Sequence, residues 1–142
     1  MGLLSRLFLG TGRLRPALRA ELEAEGLAVL EEGCLGSVRY EKFRAPGKRF
    51  DGKITGIRSA VGVSDARLVV YSHSGRAKLI DSRFDDPRLQ TIGIEVASEP
   101  AILFTVDYAK LEVLDVSGVV RIRARTPRAA EIAEQVRARV GR

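Results

Sequence analysis

The sequence predicts a mainly β domain of about seven antiparallel strands, capped by a C-terminal helix and preceded by an N-terminal one. From Leu35 onward, short apolar runs alternate with Gly-, Pro-, Ser- and Asp-containing turns at about ten-residue spacing. Apolar residues recur at helical spacing only near the two ends of the chain. No strand–helix–strand rhythm and no internal repeat is visible, so antiparallel pairing is expected. With 142 residues, 45% apolar and 30% charged, the chain can bury one core of ordinary size. A single cysteine, Cys34, excludes an internal disulfide and a cysteine-based metal cluster, and fits a reducing, cytoplasmic setting. No run approaches the roughly 20 apolar residues of a membrane span.

The first fifteen residues are apolar at the start, with Arg6, Arg13 and Arg15 interspersed. A cleavable signal is not expected, because the apolar run is short and Gly10–Gly12 offers no clean cleavage site. Gly2 opens like a myristoylation site, but Arg6 stands where Ser or Thr is required. An amphipathic helix at a membrane surface, a leader helix packed on the domain and an unstructured tail all fit this segment. Pro16 to Glu25 is a clearer helix: proline opens it, Leu14, Leu18 and Leu22 recur every fourth residue, and Gly26 ends it. The expected division is a tail and helix over residues 1–32 and a β domain over 33–142.

Leu27 to Leu30 reads as a connection or short strand, and the first main strand is expected at Leu35 to Arg44. Val38 and Tyr40 share one face there, and Phe43 falls on the other, which predicts a bulge or an exposed aromatic. Ala45-Pro46-Gly47-Lys48 is a turn. Further strands are expected at Lys53–Val63, Arg67–Ser72, Arg76–Asp81, Leu89–Val96, Ile102–Val106 and Lys110–Val116. The last strand alternates Val120, Ile122 and Ala124 with Arg121, Arg123 and Arg125, an outward arginine row. Thr126 then offers a cap and Pro127 a first turn, and Ala129, Ile132, Ala133, Val136 and Val140 form one apolar helix face.

The net charge of +6 is concentrated in two places. Residues 39–58 carry seven cations against two acids, and residues 121–142 carry seven arginines against two glutamates. Such patches suit phosphates on lipid or nucleic acid, or simply a solubilising surface. Tyr40 and Phe43 interleave with Arg39, Lys42 and Arg44, a thin stacking platform that makes nucleic acid the lesser expectation. His73 is the only histidine, and Asp65, Asp81, Asp85 and Asp86 lie nearby in sequence without ligand spacing. Ser72, His73 and Asp81 can be written as a triad, but no nucleophile elbow accompanies them. Asp85 and Asp86 precede a proline, where adjacent carboxylates open a turn and point apart. Neither Gly47 nor 52–56 has phosphate-loop spacing. No catalytic residue, metal or cofactor is therefore expected.

The hairpin Arg39–Lys53, the segment Val63-Ser-Asp-Ala-Arg-Leu-Val-Val-Tyr, the turn and strand His73-Ser-Gly-Arg-Ala-Lys-Leu-Ile-Asp, and Gly118-Val-Val-Arg-Ile-Arg-Ala-Arg-Thr-Pro before the last helix together resemble a bacterial pleckstrin-homology-like (PH-like, GRAM-related) domain. The resemblance covers about residues 33–141. It implies a seven-stranded antiparallel barrel or sandwich capped by the C-terminal helix. It also implies a non-enzymatic interaction module that binds a protein partner, a second copy, or weakly an anionic membrane surface. Lys42, Arg44, Lys48, Arg49 and Lys53 of the first hairpin are then the ligand-binding candidates. Phe50-Asp51-Gly52 separates Lys48-Arg49 from Lys53, which predicts electrostatic adhesion of about 1 kcal/mol per well-placed cation rather than recognition of one headgroup. The expected location is cytoplasmic, including the inner face of the membrane. Two alternatives are a nucleic-acid-binding module and a small hydrolase or metal enzyme built on His73 and nearby aspartates.

Overall fold

A computed structural model describes residues 12–72 and 77–140. The expectations for the first eleven residues and for His73 lie outside the described residues. The elements in chain order are α1 (Pro16–Ala24), β1 (Leu27–Ala45), β2 (Lys48–Phe50), β3 (Ile54–Ser64), β4 (Arg67–Ser72), β5 (Ala77–Arg83), a 3-10 turn (Pro87–Thr91), β6 (Gly93–Ala97), β7 (Ala101–Asp107), α2 (Tyr108–Leu111), β8 (Ser117–Arg125) and α3 (Ala129–Arg139). All strand pairs are antiparallel, and the sheet runs β5-β4-β3-β1-β8-β7-β6, with β2 paired to the end of β1. The sheet curls so that its inner faces meet in one core, giving a half-barrel with α3 packed against it.

Three strand expectations are corrected. The first strand begins at Leu27, not Leu35, because β1 crosses the Glu31–Cys34 region as a register shift and continues in the same ladder with β3. Lys110–Val116 is not a strand. Asp107 accepts the Ala109 N–H and starts a helical turn, and Glu112 and Asp115 both hold positive φ. β8 already has β1 and β7 as neighbours, so this segment cannot pair beside the strand it leads into. Leu89 likewise belongs to the 3-10 turn, which Asp86 opens by accepting the Arg88 N–H.

The apolar face of α3 closes its end of the half-barrel as the sequence pattern predicts, but the helix starts at Ala129 with Arg128 at its cap, later than Thr126-Pro127 suggested. Ala129, Ile132, Ala133 and Val136 are buried in the core. Thr126 is buried; it donates to Glu31 and accepts the Arg128 N–H, which steers the chain from β8 into the helix. α1 lies on the opposite side of the sheet. Leu14, Leu18 and Leu22 cover Ala60 and Val69, forming a second, smaller core. No helix among the described residues is long and apolar enough to cross a membrane.

Candidate functional site: the hairpin end of the half-barrel

The end remote from α3 is framed by the β1–β2 hairpin, the ends of β4 and β5, and the α2–β8 connection. Its shape depends on a bulge. Lys42 has φ of 49°, and the β1–β8 register shifts between Glu41 and Arg44. The Lys42 N–H donates to the Asp51 carboxylate at 3.1 Å, so Asp51 works as a turn-stabilising acceptor across the hairpin. The extra residue rotates Phe43 onto the face already held by Val38 and Tyr40, which resolves the misplaced aromatic of the sequence pattern in favour of a bulge.

Beyond the bulge, the hairpin residues segregate by face. Phe43 pairs with Phe50 and Ala45 with Lys48 on the inner side, whereas Arg44 pairs with Arg49 on the outer side. Tyr40, Phe43, Phe50 and Tyr108 form a ring cluster with centroid separations of 5.2 to 6.2 Å. The chain has five phenylalanines and three tyrosines, so half of its aromatic side chains gather here. Lys53 places its ammonium 4.2 Å from the Phe50 ring centroid. The rings border a cavity of about 220 Å³, together with Val106, Val120, Ile122 and Leu79. Lys48 and Lys78 also line it. Burial pushes the Tyr108 hydroxyl above the usual phenol range, with the neighbouring Tyr40 adding to the shift.

The five hairpin cations therefore do not form one nest. Lys48 and Lys53 flank the aromatic side, Arg44 and Arg49 occupy the outer face, and Lys42 sits at the bulge. All five are exposed, and none makes an ion pair among the described residues. The C-terminal arginines differ. Arg121 pairs with Glu41, Arg123 and Arg125 with Glu99, Arg128 with Glu31 and Glu131, and Arg139 with Asp65. Arg137 donates to the Ile94 carbonyl of β6. The second basic patch is thus mostly consumed by internal pairing, and the first is not.

The residues considered for enzyme chemistry have other tasks. Asp81 accepts from Arg67 and from the Tyr71 hydroxyl. Asp85 pairs with Arg83 and Asp86 with Arg88, so the two adjacent carboxylates point apart. Among the described residues no three His, Cys, Asp or Glu side chains gather as metal ligands. Cys34 is buried, and burial, aided by Glu31, pushes its thiol up to about 12, the opposite of an activated nucleophile.

Sequence reading found Tyr40, Phe43 and the cations but missed Phe50, Lys78 and Tyr108 as parts of this end. Phe50 could have been found by counting the hairpin register back from its turn. Lys78 and Tyr108 arrive from β5 and α2, and nothing local to them signals it. The chain matches no family model, no curated protein and no solved structure.

Proposed function

We propose that the protein is a non-enzymatic interaction module that adheres to an anionic membrane surface, at the inner leaflet, through the β1–β2 hairpin. The observation that carries the proposal is the contrast between the two basic patches. Arg44 and Arg49 stand directly opposite each other, and like charges so placed are unfavourable by a few tenths to about 1 kcal/mol. That cost is recovered when an anionic surface lies beside them. The sheet order and the helix following the last strand support a PH-like domain, whose members commonly bind lipid or protein through this hairpin. Fold alone does not set function, so the charge distribution bears the argument.

The test is sedimentation with vesicles of phosphatidylserine and phosphatidylcholine. Binding is expected to anionic and not to pure phosphatidylcholine vesicles, and to fade as salt shortens the screening length to about 3 Å near 1 M. Lys48→Glu with Arg49→Glu should lower it by about one to two orders of magnitude, at about 1 kcal/mol per cation. Arg121→Gln, which removes an already paired charge, should change it little. Equal binding to neutral vesicles, or no effect of the hairpin reversal, would overturn the proposal.

A protein partner is the second reading. It is favoured by two strongly exposed aliphatics, Ile54 at 62% and Leu114 at 86%, which border the hairpin end. β5 also ends the sheet, where another strand can add. For nucleic acid the aromatic cluster counts against the reading, because the rings pack on one another instead of facing outward as a platform. Retention of short DNA or RNA at low salt measures that alternative directly.

A further inference from the structure

The geometry points to a second binding function at this end, one that shares Lys48 with the docking hairpin: we propose that the cavity at the hairpin end takes a small amphipathic anion, a carboxylate or phosphate on a short acyl chain or single ring. The cavity measures about 220 Å³. An apolar cavity of about 150 Å³ stays dry and accepts benzene, so this one holds a ring or a chain of similar bulk with a few additional carbons. Its walls are the rings of Tyr40, Phe43, Phe50 and Tyr108 with aliphatic side chains such as Val106 and Leu79.

Charge selects the head of the ligand. The charged residues of the lining are Lys48 and Lys78, and the lining contains no carboxylate. Both lysines are exposed and lack an ion-pair partner among the described residues. Lys53, seated against Phe50, adds a third cation on the same side. An anionic head can therefore stay partly hydrated beside the lysines while its apolar body replaces empty space among the rings. That arrangement avoids burying an unpaired charge. A cationic amphiphile meets repulsion at the same lysines, and a neutral one gains only the apolar contact.

The chain contains no tryptophan and three tyrosines, two of which border the cavity, so tyrosine emission reports occupancy. The full chain, carrying Tyr71→Phe to silence the remaining tyrosine, is titrated with octanoate, octyl phosphate, octanol and octylammonium, with calorimetry in parallel. Saturable binding of one octanoate or octyl phosphate per chain is expected, and the tighter of the two identifies the head. Octanol should bind about tenfold more weakly, and octylammonium more weakly still. Lys78→Glu, on the surface and outside the β1–β2 hairpin, should weaken anion binding by about tenfold while leaving octanol binding unchanged. Its folding is checked by the unfolding midpoint. Vesicle binding through the hairpin is read separately in the same variant, so loss of one activity is distinguishable from loss of the other. Failure of both anions to saturate, equal affinity for the anions and octanol, or anion binding insensitive to Lys48→Glu and Lys78→Glu together would overturn the proposal.

Discussion

At the scale of single residues, the half-barrel depends on close backbone approaches that leave no space for a side chain. Gly36 faces Ala124 in the β1–β8 ladder, and a Cβ placed on it would lie 1.7 Å from the Arg123 carbonyl oxygen. A backbone atom cannot step aside like a flexible side chain. Gly36→Ala should therefore destabilise the domain by about 3 kcal/mol, read as a shift in urea midpoint at unchanged slope. Gly118 has φ of 97°, and its missing Cβ would clash with Lys42, the residue at the bulge. The bulge that turns Phe43 inward and the glycine that opens β8 thus belong to one local device. Gly36 does not announce its close approach in the sequence, since it stands among ordinary strand residues and its pairing partner Ala124 lies on β8, far along the chain.

At the scale of elements, α1 is fixed to the sheet by two interactions of different kinds. Leu22 is fully buried against the outer side of β3 and β4. Beside it, the Arg67 guanidinium donates to Glu21 and Glu25 of the helix segment and to both oxygens of Asp81 on β5. Arg67 and Asp81 are each only 15% exposed at the side chain, so this is a largely desolvated pair extended by more exposed carboxylates. The guanidinium is held firmly protonated: burial opposes its charge, but its hydrogen bonds to Glu25 and Glu21 and the charge of Asp81 outweigh that. Arg67→Ala leaves Asp81 with only the Tyr71 hydroxyl and should cost about 2 kcal/mol. Amide exchange over 16–24 should accelerate more than exchange in β7 and β8, because the helix loses its latch while the main core is untouched. Uniform acceleration across the sheet would show that the network serves the whole domain instead. The four-residue leucine spacing of α1 was legible in the sequence as an apolar face. Its polar latch was not, because Arg67 and Asp81 sit on strands where each looks like an ordinary outward charge.

At the scale of the molecule, the two cores respond together to alkaline pH. The Cys34 thiol is raised from 9.0 to about 12, chiefly by burial. The Tyr71 hydroxyl is raised from 10.0 to about 12 by burial and by its bond to Asp81. Below these unfolded values both groups keep their protons whether or not the chain is folded. As pH rises from about 9 toward 12, the unfolded chain releases protons that the folded chain retains, so stability falls. Urea unfolding at about pH 8 and about pH 10.5 should show the drop, and Cys34→Ala with Tyr71→Phe should reduce it, leaving the part that the half-buried Tyr108 hydroxyl contributes. A drop of the same size in the double variant would assign it to other groups. Strand alternation, turn residues and helix spacing are local, period-two or period-3.6 signals. By themselves they determined a mainly β chain with two helices, the buried face of α3 and the outward arginine row of β8. Long-range pairing decided the rest. It joined Leu27–Leu30 into β1 and left the 110–116 segment no place beside β8, which β1 and β7 already flank. It also neutralised most of one basic patch with acids brought from β1, the β6–β7 turn and the β3–β4 turn, and set Lys78 and Tyr108 beside the hairpin. Two patches of equal sequence charge thereby became unequal, because electrostatic availability depends on which carboxylates folding places within a few ångströms, and chain spacing does not encode that.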